Sequence, residues 1–257
     1  MNINTRDLRF FHGTGAIAAA SILSDGFRNP LDQMGWRSLA SDLWSALLSL
    51  GTESELFNEY LKHEDLYDSP GLSPLRSVYA REEGHLFVYG HFFATLNIAN
   101  AYRYAIRNPF RSEFLLVIST GLKLLARIGN ANELESRYPA VLQLINNPPS
   151  PVVIELTGID ELRLANETGS REIMPLVENY LHFADNPSVN MPAAFRIDGV
   201  KPSDVVAVHD LSGWSADALS DSMWRPDPDR VDASRMSPER WLAEFQQTIE
   251  KPSPSSA

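Results

Sequence analysis

The feature that most narrows the fold of this chain is a set of short apolar runs, each of strand length, separated by stretches of unequal length. FLLVIST occupies 114–120, PVVIELTG 151–158, AAFRIDG 193–199 and DVVAVHDL 204–211. A continuous apolar run of four to eight residues reads as a buried strand. The last two are joined by the turn GVKPS. LRFF (8–11) adds a short strand near the start. The aromatic stretch GHLFVYGHFFAT (84–95) adds two short strands, or one interrupted at Gly90. Their irregular spacing and the absence of GxGxxG argue against a doubly wound sheet. The expectation is an α+β domain in which strands dominate after residue 84 and helices before it.

The helical stretches follow from periodicity. Ala16, Ala19, Ala20, Leu23 and Phe27 share one face, and Gly26 suits the turn that ends that helix. Trp36, Leu39, Ala40, Leu43, Leu47 and Leu50 share another; Gly51 breaks the run, and Leu56, Phe57, Tyr60 and Leu61 resume it. Residues 65–82 read as a loop around Pro70, Gly71 and Pro74. Ile98, Ala101, Tyr102, Ala105 and Ile106 form a clear stripe, with Thr95 or Asn97 as cap and Asn108-Pro109 as stop. Residues 131–146 are helical in two pieces, the second restarted at Pro139. Residues 171–183 fit neither period decisively. SPERWLAEFQQTIE (237–250) is a late helix, and KPSPSSA (251–257) a disordered tail. The expected organisation is one domain over 1–211 with a helical and loop insertion at 29–83, then a C-terminal loop and helix over 212–250 packing on it.

Several function classes drop out. There is no cysteine, so disulfides, thiolate metal sites and cysteine nucleophiles are excluded. The six histidines show no HExxH-like pair, and no metal is expected. A formal net charge of −11 disfavours non-specific phosphate binding, so a protein partner is favoured over nucleic acid. No apolar run is long enough to span a membrane. The N-terminal MNINTRDLRFF lacks a basic and apolar leader pattern, so a cytoplasmic protein is expected, with delivery by a dedicated secretion machine compatible with that.

Two segments carry candidate chemistry. In His12-Gly13-Thr14, Gly13 lets a planar ligand approach the backbone, and His12 offers a donor and an acceptor near neutral pH. The structural alternative is that Thr14 caps the next helix, Gly13 turns, and His12 is a satisfied packing residue. In HFFATLNIANAYRYA (91–105), Phe92 or Phe93 presents a ring to an aromatic ligand, or the aromatics fill the core. His85, His91, the Glu82-Glu83 pair, Arg103 and Arg107 have structural or solvated roles as their simplest reading.

Taken together, FFHGTGAIAAASILSDGF and HFFATLNIANAYRYA resemble the ADP-ribosyltransferase family, in the branch of the poly(ADP-ribose) polymerases and diphtheria-type toxins. The resemblance covers 8–28, 84–120 and 193–211. It implies a split mixed β-sheet and cleavage of NAD, a consumed substrate, at the nicotinamide–ribose bond. ADP-ribose would pass to a macromolecular acceptor, or to water, as in a bacterial toxin or effector. The family pattern implies that His12 holds a ribose hydroxyl and that the Gly13 backbone, beside Thr14, grips the nicotinamide amide. It also implies that Phe92 and Tyr102 sandwich the ring. Phe92 stands at the family's tyrosine place. The glutamate place falls on Ala194, which can neither stabilise a cation nor orient a nucleophile. Glu172, read as preceding a strand, is the preferred replacement, with Glu155 second. If no acid is present, the same fold is a non-catalytic module binding a nucleotide or a protein.

Overall fold

The structure is a computed structural model that describes residues 3–28, 35–51, 55, 91–129, 131–183 and 194–212. The expected elements at 56–61, 65–82, 84–90 and 237–250, the tail at 251–257, His85 and the Glu82-Glu83 pair lie outside these residues.

Among the described residues, six strands form one sheet: β1 (Phe10–Gly15), β2 (Phe92–Thr95), β3 (Pro151–Leu156), β4 (Leu164–Asn166), β5 (Ala194–Ile197) and β6 (Val205–Asp210). Their order is β4-β5-β2-β1-β3-β6. Every pairing is antiparallel, so the expected mixed sheet is corrected to an antiparallel one within an α+β architecture. The strand expected at 8–11 shifts to Phe10–Gly15. Two glycines weaken the strand signal there, yet β1 pairs with β3 from Phe10↔Leu156 to Gly15↔Pro151. Toward β2 it pairs only at Phe11↔Thr95. The sheet is thus pinched into two halves, β4-β5-β2 and β1-β3-β6.

The two faces are covered differently. On one face, α1 (Ala16–Asp25) and α7 (Met174–Phe183) bury Phe10, Ile154, Phe92, Phe195 and Ile197, so this core takes residues from both halves. The buried stripe of α1 is Ala19 and Ile22; the expected Ala20 and Leu23 are exposed. Gly26 has φ 78° and ends the helix as expected; a Cβ there would lie 2.5 Å from the Val200 carbonyl oxygen. On the other face, α3 (Ile98–Arg107) lays its predicted stripe on Phe11 and Val153, which belong to one half alone. Its contact is close enough that only glycine fits beneath it: a Cβ on Gly13 would lie 2.1 Å from the Ala101 carbonyl oxygen.

A second apolar core is built mainly from helices. It joins α2 (Trp36–Gly51), α4 (Glu113–Ile128), α5 (Asn132–Arg137) and α6 (Pro139–Asn146). Here the strand expected at 114–120 is overturned, since FLLVIST is the first half of α4. The Ser112 side chain accepts the Leu115 N–H, and the apolar run continues through Leu122, Leu124 and Leu125. A helix buried on most of its circumference has no polar stripe to reveal its period, so a seven-residue window of it reads as a strand. Trp36 stacks on Phe114 at 5.3 Å between ring centroids. The break at Pro139 is as expected. Residues 174–183 resolve as the helix α7, and the three-residue β4 was not anticipated. No helix among the described residues is long and apolar enough to cross a membrane.

Candidate functional site

The place where β1 leaves β2 is defined by ladder parity. In an antiparallel pair, alternate residues direct their N–H and C=O to the same neighbour. The Ala16 N–H donates to the Ser150 carbonyl, continuing the β1–β3 pairing, so even-numbered residues of β1 face β3. Phe11, Gly13 and Gly15 therefore face β2. An unbroken ladder would next pair Gly13 with Phe93. Instead the His12 ring takes the Phe93 carbonyl, with Nδ1 at 2.6 Å. The imidazole acts as a wedge beyond Phe11↔Thr95. It leaves the Gly13 N–H and C=O on a strand edge with no ladder partner among the described residues.

His12 is half-buried, and burial pulls its pKa down to about 4, against the smaller opposing effect of the Phe93 carbonyl. The ring is neutral at pH 7. A carbonyl can only accept, so Nδ1 carries the proton and Nε2 presents a lone pair. The site thus offers a backbone donor and acceptor at Gly13 and an imidazole acceptor at His12. Behind the wedge, the Phe92 ring lies 4.2 Å from the His12 ring and meets Phe27 edge-on at 5.3 Å.

The other expected residues are distributed as follows. Phe92 is 1% exposed in the core that spans both halves, whereas Tyr102 is fully buried on the sheet-facing side of α3 with its ring 6.4 Å from His209. They stand on opposite faces of the sheet, so the expectation that they enclose one ring is overturned. The sequence offers adjacent phenylalanines, one for each face of a strand. Phe93 is the one that faces the side of Gly13, and it is half-buried there with Ala194 and Arg196. Thr14 is buried inside β1 opposite Val152 and does not cap; the cap position of α1 is Gly15.

Neither proposed acid reaches His12. Glu172 is exposed, its N–H donating to Ser170 Oγ at 3.2 Å, and it precedes α7 rather than a strand. It lies beyond β4, with β5 and β2 between it and β1. Its neighbour Arg171 is bound to the Leu162 carbonyl at 2.7 Å and to Asp198. Glu155 is 3% exposed with both oxygens engaged, by Arg9 at 2.8 Å and by His209 at 3.1 Å. Ala194 begins β5 opposite Thr95.

No family model, no curated protein and no solved structure matches this chain.

The remaining charges near the site are largely neutralised. Burial works to raise the Asp198 carboxyl, but bonds from Arg196 and Arg171 outweigh it and hold it below its usual range. Burial, with the nearby Arg196, lowers the pKa of His91. Among the described residues, no three histidine, aspartate or glutamate side chains are grouped to hold a metal ion. Two groups escaped the sequence reading, Arg111 and Glu113. Both sit at the α3–α4 junction, between the helix stop expected at Asn108-Pro109 and the run expected as a strand at 114–120.

Proposed function

We propose that this chain is an NAD-dependent ADP-ribosyltransferase that releases nicotinamide and transfers ADP-ribose to a macromolecular acceptor, a protein in preference to nucleic acid. The observation that carries the reading is the edge of β1 at Gly13. An N–H and C=O side by side, with no ladder partner among the described residues, complement a carboxamide, which presents one acceptor and one donor in the same plane. The neutral His12 beside it is poised to accept a hydrogen bond from a ribose hydroxyl through Nε2. Phe93, on the same face as the glycine, offers the ring against which a flat heterocycle would lie. The pinched sheet agrees with the split sheet that the resemblance implies.

The test is nicotinamide release from NAD by the purified chain. In His12→Asn the amide nitrogen takes the place of Nδ1 and keeps the Phe93 contact, while the Nε2 acceptor is lost. Release should fall at least about tenfold, the equivalent of one hydrogen bond. An unchanged rate would remove His12 from the site.

A second reading is favoured by Ala194. Without a carboxylate at that place, the fold would bind a nucleotide or a protein and cleave nothing. Calorimetric binding of NAD with no nicotinamide released would select that reading.

A further inference from the structure

The two halves of the sheet are one side chain short of continuing their ladder. One step beyond Phe11↔Thr95, Gly13 and Phe93 stand level, with the parity of a hydrogen-bonded pair: each directs its N–H and C=O toward the other strand. Both strands are otherwise anchored. β2 is paired along its far edge from Phe92↔Ile197 to Thr95↔Ala194. Gly13 is pressed on one face against the α3 backbone, where a Cβ would lie 2.1 Å from the Ala101 carbonyl oxygen. On the opposite face, Phe10 of β1, Phe92 of β2 and Phe195 of β5 share one core, which keeps the halves side by side. Between the two backbones stands the His12 ring. Its Nδ1–H donates to the Phe93 carbonyl, the acceptor that the Gly13 N–H would take in an unbroken ladder.

We propose that the Gly13 edge has two mutually exclusive partners, the ligand and the backbone of Phe93, and that His12 selects the ligand by holding the sheet open. The proposal rests on the reading of Gly13 as the carboxamide site. With the imidazole withdrawn from the carbonyl, the Gly13 N–H donates to the Phe93 C=O and the Phe93 N–H donates to the Gly13 C=O. The ladder then lengthens by one pair and satisfies its own exposed edge. The same two bonds cover both groups that a carboxamide needs, so the closed sheet binds nothing at Gly13. Opening exchanges them for the single bond from His12, and a carboxamide restores the pair that was given up. His12 is in this respect a positioning residue, acting on the ligand through the Gly13 backbone. A neutral ring suits that place: burial lowers its pKa to about 4, so the wedge enters the gap without a charge to solvate.

The experiment is amide hydrogen exchange, resolved by residue with NMR, on the full chain with and without NAD, together with calorimetric titration of NAD. Wild type, His12→Asn and His12→Val are compared. Both substitutions remove Nε2, but asparagine keeps the contact with the Phe93 carbonyl and valine cannot make it. In His12→Val the protection of the Gly13 and Phe93 amides should rise at least about tenfold over wild type, the equivalent of one net hydrogen bond. In His12→Asn both should stay at the wild-type level. NAD should protect the Gly13 amide of wild type and leave that of Phe93 unchanged, because ladder closure alone engages the latter. NAD should bind His12→Val at least about tenfold more weakly than His12→Asn. If His12→Val does not fold, His12→Ala removes the wedge in the same way. A folded variant without the wedge whose Phe93 amide exchanges as fast as in wild type overturns the proposal and leaves the NAD reading intact. A wild-type chain that neither binds NAD nor releases nicotinamide overturns that reading, and with it the choice between partners.

Discussion

At the scale of single residues, Gly13 shows how one position serves packing and, in the proposed reading, recognition together. Its missing side chain admits α3 on one face, and its backbone edge is freed because the neighbouring histidine has replaced it in the ladder. Gly13→Ala should be strongly destabilising, by about 3 kcal/mol or more, because the obstruction is helix backbone rather than a movable side chain. Urea titration followed by circular dichroism would measure it, and a loss under 1 kcal/mol would mean that α3 can lift away. That Gly13 admits a close backbone approach was legible in the sequence; that the approaching backbone is helix α3 was not. A histidine that breaks a ladder and a histidine that ends a strand give the same letters. The choice between Phe92 and Phe93 was likewise hidden until the register Phe92↔Ile197 fixed which ring faces which side.

At the scale of elements, β3, β5 and β6 were readable because short β-branched runs between turn residues have few other homes. The stripe of α3 was readable because one side of that helix is polar. The first half of α4 was not, since neighbours on several sides erase the alternation on which periodicity depends. Its start is marked instead by Ser112, which accepts the Leu115 N–H at 3.4 Å. Ser112→Ala should cost about 1 kcal/mol in a thermal or urea melt, as for a typical lost N-cap. An unchanged midpoint would mean that the Leu115 N–H finds another acceptor.

At the scale of the whole molecule, two groups tie stability to pH in opposite senses. His12 has a pKa of about 4 when folded, below its ordinary 6.5, so unfolding takes up a proton between these values. Its contribution is present above pH 6.5 and is lost as pH falls through 4. Glu113 has a pKa of about 7 when folded, above its ordinary 4.5, so its contribution is present below pH 4.5 and is lost as pH rises through 7. Each slope approaches about 1.4 kcal/mol per pH unit, and over pH 4.5–6.5 they oppose each other. The pair should therefore leave a flat stability profile in that window. His12→Asn should unmask a fall with rising pH, and Glu113→Gln a rise. Denaturant midpoints measured at half-unit intervals would check both, and parallel profiles for wild type and variants would contradict the assigned protonation states.

The way the two half-sheets are joined has a mechanical consequence. Phe10 of one half meets Phe195 of the other at 5.8 Å, edge to face, within a core that draws on both halves, while the core on the far side draws on one. The molecule is bound like a book, glued along its spine and unsewn at the fore-edge. The leaves meet at Phe11↔Thr95, and in the proposed reading a ligand at Gly13 would lie in the opening between them.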